Sequence, residues 1–190
     1  MILIDNIESL DVAELADRLD LSSLDEYGVE IARNAFITGD VDMMPFRLDL
    51  RFVWINAPLL KHRGMYEQVL LHAYTGAKGN WSHWSICCIE RLFNIADRDR
   101  LRAAGNPLPS EGPFTLYRGV SGVGQRRRLR GFSWTDSVDV ARWFANRFPG
   151  ILKHPAVLKA TVAANEVFAF INGSEREFIC QPKQFERIPA

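Results

Sequence analysis

Two glutamates, Glu175 and Glu177, stand two positions apart at the head of an apolar run, Gly173-Ser-Glu-Arg-Glu-Phe-Ile179. In an extended chain residues i and i+2 share a face, so this spacing aims both carboxylates into one space. The pair is then either a site or the ion-paired end of a strand. Two upstream stretches carry further polar groups. Thr115-Leu-Tyr-Arg-Gly-Val120 is a β-type run that presents Arg118, and Gly131-Phe-Ser-Trp-Thr-Asp136 presents two hydroxyls, Ser133 and Thr135, just before a helical pattern. Arginine offers a planar fork of donors suited to phosphate or carboxylate, which lysine cannot copy. Taken singly, Arg118 is a surface ion-pair partner and Ser133 a turn residue or N-cap. The order and context of the three stretches are more specific than any one of them.

The elements that must position these residues follow from periodicity and punctuation. Phe114–Val120 and Phe132–Thr135 read as strands, and Asp136 or Ser137 caps a helix over Val138–Phe148 that Pro149-Gly150 ends. Val157–Val162, Val167–Ile171 and Glu175–Cys180 read as three more strands, with a short piece at Phe185–Ile188 closing the sheet. Before Gly105-Asn-Pro-Leu-Pro109 the texture is helical. Ser9–Leu21 has a helical period with Asp11 and Glu14 in capping-box spacing. Ser23 with Glu26 opens a second helix running to about Phe36 and ended by Gly39. Arg47–Ile55 reads as a short strand or an irregular apolar segment. Leu59–Tyr74 and Trp81–Ala104 read as helices, the second turning Trp84, Ile86, Cys87, Ile89, Leu92, Phe93, Ile95 and Ala96 inward.

Bulk properties bound the rest. The 190 residues, 47% of them apolar, suit a folded domain with a helical region attached. No stretch approaches the roughly 18 consecutive apolar residues of a membrane span. The acidic N-terminus lacks the positive start of a signal peptide. Three cysteines, with Cys87 and Cys88 adjacent, suit neither a disulfide framework nor a C-x-x-C metal site, so a reducing cytoplasm is expected. The net charge is zero but lopsided: residues 1–50 hold twelve acidic and three basic residues, the remainder eleven and twenty, for balances of −9 and +9. Such asymmetry fits an acidic cover, a basic face for phosphates, or two solvated faces of opposite sign.

Tyr117-Arg118-Gly119, Ser133-Trp134-Thr135 and Glu175-Arg176-Glu177, in that order, resemble the mono-ADP-ribosyltransferases of the Arg-Ser-Glu class. That group spans arginine-modifying toxins, ecto-transferases and phage and bacterial proteins. The resemblance covers Thr115–Ile188. It departs at Thr135, where many members have Ser, and at the short turn Asn172-Gly-Ser174, where the family often has a longer recognition loop. It implies an α+β fold: a helical N-terminal region over residues 1–110, packed on a split mixed β-sandwich core over residues 111–190 that binds NAD+ as co-substrate without a metal. The implied activity is transfer of ADP-ribose to a macromolecule, first a protein arginine, alternatively RNA or DNA, by an intracellular toxin, phage or defence factor. An inhibitor or antitoxin is an implied partner. A catalytically inactive binding module on the same fold is the reading from another class.

The chemistry such a reaction needs matches these residue types. Breaking the nicotinamide–ribose bond builds an oxocarbenium-like cation, as in glycoside hydrolysis, and nicotinamide leaves neutral, so no general acid is required. The resemblance assigns Glu177 to stabilising that charge, Ser133 to holding Glu177, and Arg118 to the pyrophosphate. Gly119 would let its backbone approach the nicotinamide amide, with Thr135 beside it and Trp143 or Phe144 stacked on the ring. Glu175 would engage the acceptor nucleophile.

Other motifs carry less. Arg126-Arg-Arg128 with Arg130 is a basic loop able to grip phosphates, or simply a solvated one. His62, His72, His83 and His154 show no metal spacing. Trp81, His83 and Trp84 suit core or partner packing. Cys87 and Cys88 read as core thiols. Gly119-Val-Ser-Gly-Val-Gly124 lacks the Lys-Ser/Thr of a phosphate loop.

Overall fold

Short polar side chains set most helix starts in the first hundred residues, and left-handed glycines set two of the stops. The computed structural model describes residues 7–45, 48–76, 84–123 and 131–190. Expectations that fall on Arg47, Trp81, His83 and the Arg126–Arg130 run lie outside the described residues. Asp11 caps α1 (Val12–Asp17) in a complete capping box with Glu14. Asp25, not Ser23, caps α2 (Glu26–Thr38), and Gly39 at φ 79° ends it.

The strand or irregular segment expected near Arg47–Ile55 is a helix, α3 (Leu50–Arg63). Its β-branched and aromatic residues mimic a strand locally. Asp49 nevertheless accepts the Phe52 N–H as N-cap, and Leu50, Val53, Ala57 and Leu60 line one buried stripe. The single helix expected over Leu59–Tyr74 is interrupted at Gly64 (φ 75°), after which α4 spans Tyr66–Gly76. The long helix expected over Trp81–Ala104 is two, α5 (Ile86–Asn94) and α6 (Arg98–Ala104). Asp97 accepts the N–H groups of Asp99 and Arg100 and so starts a new helix inside the pattern. Ile89, Leu92 and Phe93 are buried as expected, but Cys87 is exposed and Cys88 half-buried. Those two thiols lie off the stripe that faces the core.

The chain divides into two compact units, Met1–Arg100 and Leu101–Ala190, and the division falls within α6. In the first, Asn56 is buried and pins α3 to the Asp20 turn: its Oδ1 accepts the Asp20 N–H, and its Nδ2 donates to the carbonyls of Asp20 and Phe52. Phe36, Phe52, Tyr66 and Phe93 are its largest fully buried side chains. The Tyr66 hydroxyl donates to the Leu92 carbonyl at 2.9 Å.

The second unit is built on one sheet. Its strands are β1 (Phe114–Val120), β2 (Ser133–Thr135), β3 (Ala156–Val162), β4 (Val167–Ile171), β5 (Glu177–Cys180) and β6 (Glu186–Ile188), in the order β4-β5-β2-β1-β3-β6. Helix α7 (Val138–Asn146) links β2 to β3. The protein is therefore α+β. A split mixed β-sandwich was expected, yet the described strands form one six-stranded sheet in which every pairing is antiparallel. The reason lies in the crossover. The α7 connection returns the chain parallel to β2 but on the far side of β1, so the two parallel strands flank β1 and never pair.

One face of the sheet carries a continuous core that includes Leu116, Trp134, Leu158, Phe170 and Phe178. The other is covered at its centre by α7 through Ala141 and Ala145 on Val157. Inside this unit Arg102 of α6 donates to the carbonyls of Ala164 and Val167, anchoring the helix beside the start of β4. No helix among the described residues is long and apolar enough to cross a membrane.

Candidate active site

The strand register decides which of the expected residues meet. Tyr117 pairs with Thr135, and Thr135 with Glu177, so these three form a row across β1, β2 and β5 on one face. Ser133 is two residues before Thr135 and shares that face, diagonal to Glu177. In an antiparallel ladder such diagonal neighbours lie about 7–8 Å apart at Cα, within side-chain reach. Ser133 and Glu177 are both half-buried. Sequence spacing alone could not place them side by side; the β2–β5 pairing does.

Arg118 arrives differently. It follows Tyr117 and lies between Leu116 and Val120, so it leaves β1 on the opposite face, beside the main core. Its guanidinium turns back to β2, where Nη1 donates to the Ser133 carbonyl at 2.7 Å. A Cβ on Gly131 would meet this guanidinium, so a side chain there would displace the fork from its present place. Two further bonds hold the start of β2: the Trp134 indole donates to the Gly131 carbonyl at 3.0 Å, and the Cys180 N–H to the Phe132 carbonyl at 2.8 Å. Arg118 thus fixes the backbone that carries Ser133, from behind. Burial pushes the Cys180 thiol well above its ordinary value, partly opposed by the Arg118 charge.

Thr135 is buried, and its hydroxyl works within the protein. It donates to the Glu175 carbonyl at 2.8 Å and accepts the Ser137 N–H at 3.2 Å, tying the turn before β5 to the start of α7. Of the two candidate caps it is Ser137 that caps α7, accepting the Val140 N–H. Gly119 lies under that helix: a Cβ there would collide with the Ala141 carbonyl and crowd Ala145 and Phe144. Glycine is therefore required by the close approach of α7, which Ala141 and Ala145 also permit. Phe144 sits over Gly119, while Trp143 on the same helix is 57% exposed.

The two glutamates do not share a strand. The expected strand Glu175–Cys180 begins only at Glu177, and Glu175 lies in the preceding turn. Arg176 between them is left-handed, at φ 45°, so the i, i+2 rule does not carry across it. Its guanidinium grips Asp136 through both ends, with Nε to Oδ1 at 3.0 Å and to Oδ2 at 2.9 Å, and Nη2 to Oδ2 at 2.7 Å. Those bonds raise the Arg176 pKa further. The same guanidinium lies 5.7 Å from the centre of the Phe170 ring. From the sequence, Asp136 is one of two candidate caps and Arg176 a neighbour able to pair with the flanking glutamates. An acid directly after β2 and a base between two acids were the only hints, and their meeting is a product of the β2–β5 register.

The arrangement sets a carboxylate beside a hydroxyl on one face of a rigid ladder, with Phe144 of the covering helix over a bare backbone and a second carboxylate on an adjoining clamped turn. No group of three or more His, Cys, Asp or Glu placed to hold a metal ion occurs among the described residues. No family model matches this chain, and no curated protein and no solved structure matches it.

Proposed function

We propose that the Leu101–Ala190 unit is an NAD-dependent mono-ADP-ribosyltransferase, with its antiparallel sheet serving as the transferase core. The observation that carries this reading is the β2–β5 register, which sets Ser133 diagonal to Glu177 on the face that α7 covers. The reaction breaks the bond between the nicotinamide nitrogen and the ribose, the electron pair leaves with neutral nicotinamide, and positive charge develops on the sugar. Glu177 stabilises that charge, and a pre-set carboxylate does so most effectively where it need not reorganise. Ser133 orients Glu177. Arg118 is a positioning residue that holds the Ser133 backbone from the opposite face of the sheet, and the pyrophosphate contact expected of it is not part of this proposal. Phe144 stacks beside Gly119. Glu175, on the turn clamped by Thr135 and by Arg176–Asp136, takes the proton of the acceptor nucleophile as the new bond to the ribose forms.

A protein arginine is the acceptor that a carboxylate at Glu175 favours. A nucleic acid is the second reading, favoured by the exposed rings and the arginine among them at the end of α7. The decisive experiment incubates the pure protein with NAD labelled in the adenylate portion, and separately with a protein pool and an RNA pool. Nicotinamide release that drops at least about a hundredfold in Glu177→Gln, with label retained by one pool, is expected. Undiminished release in Glu177→Gln would overturn the assignment.

A further inference from the structure

The end of α7 and the turn after it display apolar residues that the sheet does not use. Trp143 is 57% exposed, Phe148 45% and Ile151 73%. The Gly122 N–H donates to the Lys153 carbonyl at 2.6 Å, which brings Val123, itself 59% exposed, alongside the same turn. Arg147 stands among the rings, its guanidinium carbon 5.3 Å from the centre of Trp143, 5.9 Å from Phe144 and 5.2 Å from Phe148. Among the described residues Arg147 meets no carboxylate. Arg142, Lys153 and His154 add basic groups along the same segment, where Asp139, paired with Arg142, is the one acid between Val138 and His154. The surface adjoins the candidate site through Phe144, whose Cβ lies over Gly119 and whose ring lies beside Trp143 and Arg147.

We propose that this surface docks a single-stranded nucleic acid, the acceptor for the transferase proposed above, and in its acceptor role the inference rests on that reading. Exposed rings and cations alternate here as bases and phosphates do along an unpaired strand. Base–aromatic stacking and arginine contacts are the usual means of holding such strands without sequence readout. The positive balance of this segment attracts phosphates. The few apolar residues are interleaved with cations, so no broad apolar face is offered to a lipid surface.

The test titrates the full-length protein with a labelled single strand of about fifteen nucleotides, RNA and DNA separately, and measures NAD hydrolysis in parallel without acceptor. Binding is expected, and it should weaken steeply between about 50 and about 200 mM salt. Phe148→Ala and Arg147→Ala should each weaken it about tenfold or more, and Arg147→Lys, which keeps the charge but not the planar stack, should recover only part of it. Circular dichroism of each variant confirms that a loss is not unfolding. Absence of strand binding, equal binding by the variants, or tighter binding to an acidic protein or to vesicles containing phosphatidylserine would overturn the proposal. NAD hydrolysis without strand binding removes the docking surface and leaves the transferase. Strand binding through Arg147 and Phe148 without NAD hydrolysis removes the transferase and leaves the docking surface.

Discussion

Arg176 is the residue whose role changes most once its surroundings are known. It sits between two glutamates in the sequence, yet it bonds to neither in the ladder; it grips Asp136 and holds the turn that carries Glu175. Both partners are partly exposed, at 44% and 30%, so the pair should contribute little to stability. Its effect should appear in the acceptor step instead. Arg176→Gln is expected to keep NAD hydrolysis within about threefold of wild type while transfer falls about tenfold or more, as a small misplacement of a reacting group costs rate. Equal losses in both rates, measured on the same preparation, would make Arg176 a part of the core and not of the turn. Glu175→Gln should behave in the same direction and more strongly: NAD turnover persists and transfer is lost. Transfer that survives in that variant would remove Glu175 from the acceptor step.

At the scale of elements, α7 and β1 are matched by small residues, Gly119 against Ala141 and Ala145. Gly119→Ala places a methyl group against backbone, not against a flexible side chain, so relief requires α7 to shift. A loss of about 1–3 kcal/mol is expected, read as a lower midpoint in thermal or urea unfolding. Melting like wild type would show that α7 rides more loosely on β1. In the first unit Asn56 satisfies two backbone groups of Asp20 and shares the Phe52 carbonyl of its own helix. Asn56→Ala leaves buried donors and acceptors unpaired and should cost about 1–3 kcal/mol by the same measurement. A neutral result would mean that water replaces the side chain.

For the whole molecule, the cysteines report on both units at once. Cys87 is exposed and Cys88 half-buried in the first unit, while Cys180 is buried in β5 with its thiol held protonated by burial. Since the thiolate is the reactive form, a thiol reagent at neutral pH should modify Cys87 first and leave Cys180 untouched until the sheet unfolds. Rapid modification of all three in native protein, followed by mass spectrometry, would contradict the burial of β5. Cys180 is the one cysteine of the second unit, so its modification follows unfolding of the sheet separately from that of the helices.

Local information was enough for much of this chain. The Asp11 capping box, the stop at Gly39, and the extents of β1 and β4 depend on residues within a few positions of one another, so their signals are written in the sequence. The same local signals misled at α3, where apolar β-branched residues imitate a strand, and at Gly64 and Asp97, where a single residue divides one periodic pattern into two helices. The candidate site was half legible. The residue types and their order pointed to Arg118, Ser133 and Glu177, but faces and neighbours are properties of pairing between strands far apart in the chain. Only the fold set Ser133 beside Glu177, sent Arg118 to the opposite face, put Glu175 on a turn instead of a strand, and joined Arg176 to Asp136. Hydrogen-bond register between distant strands is fixed by the collective burial of both sheet faces, and no short stretch of sequence contains that sum.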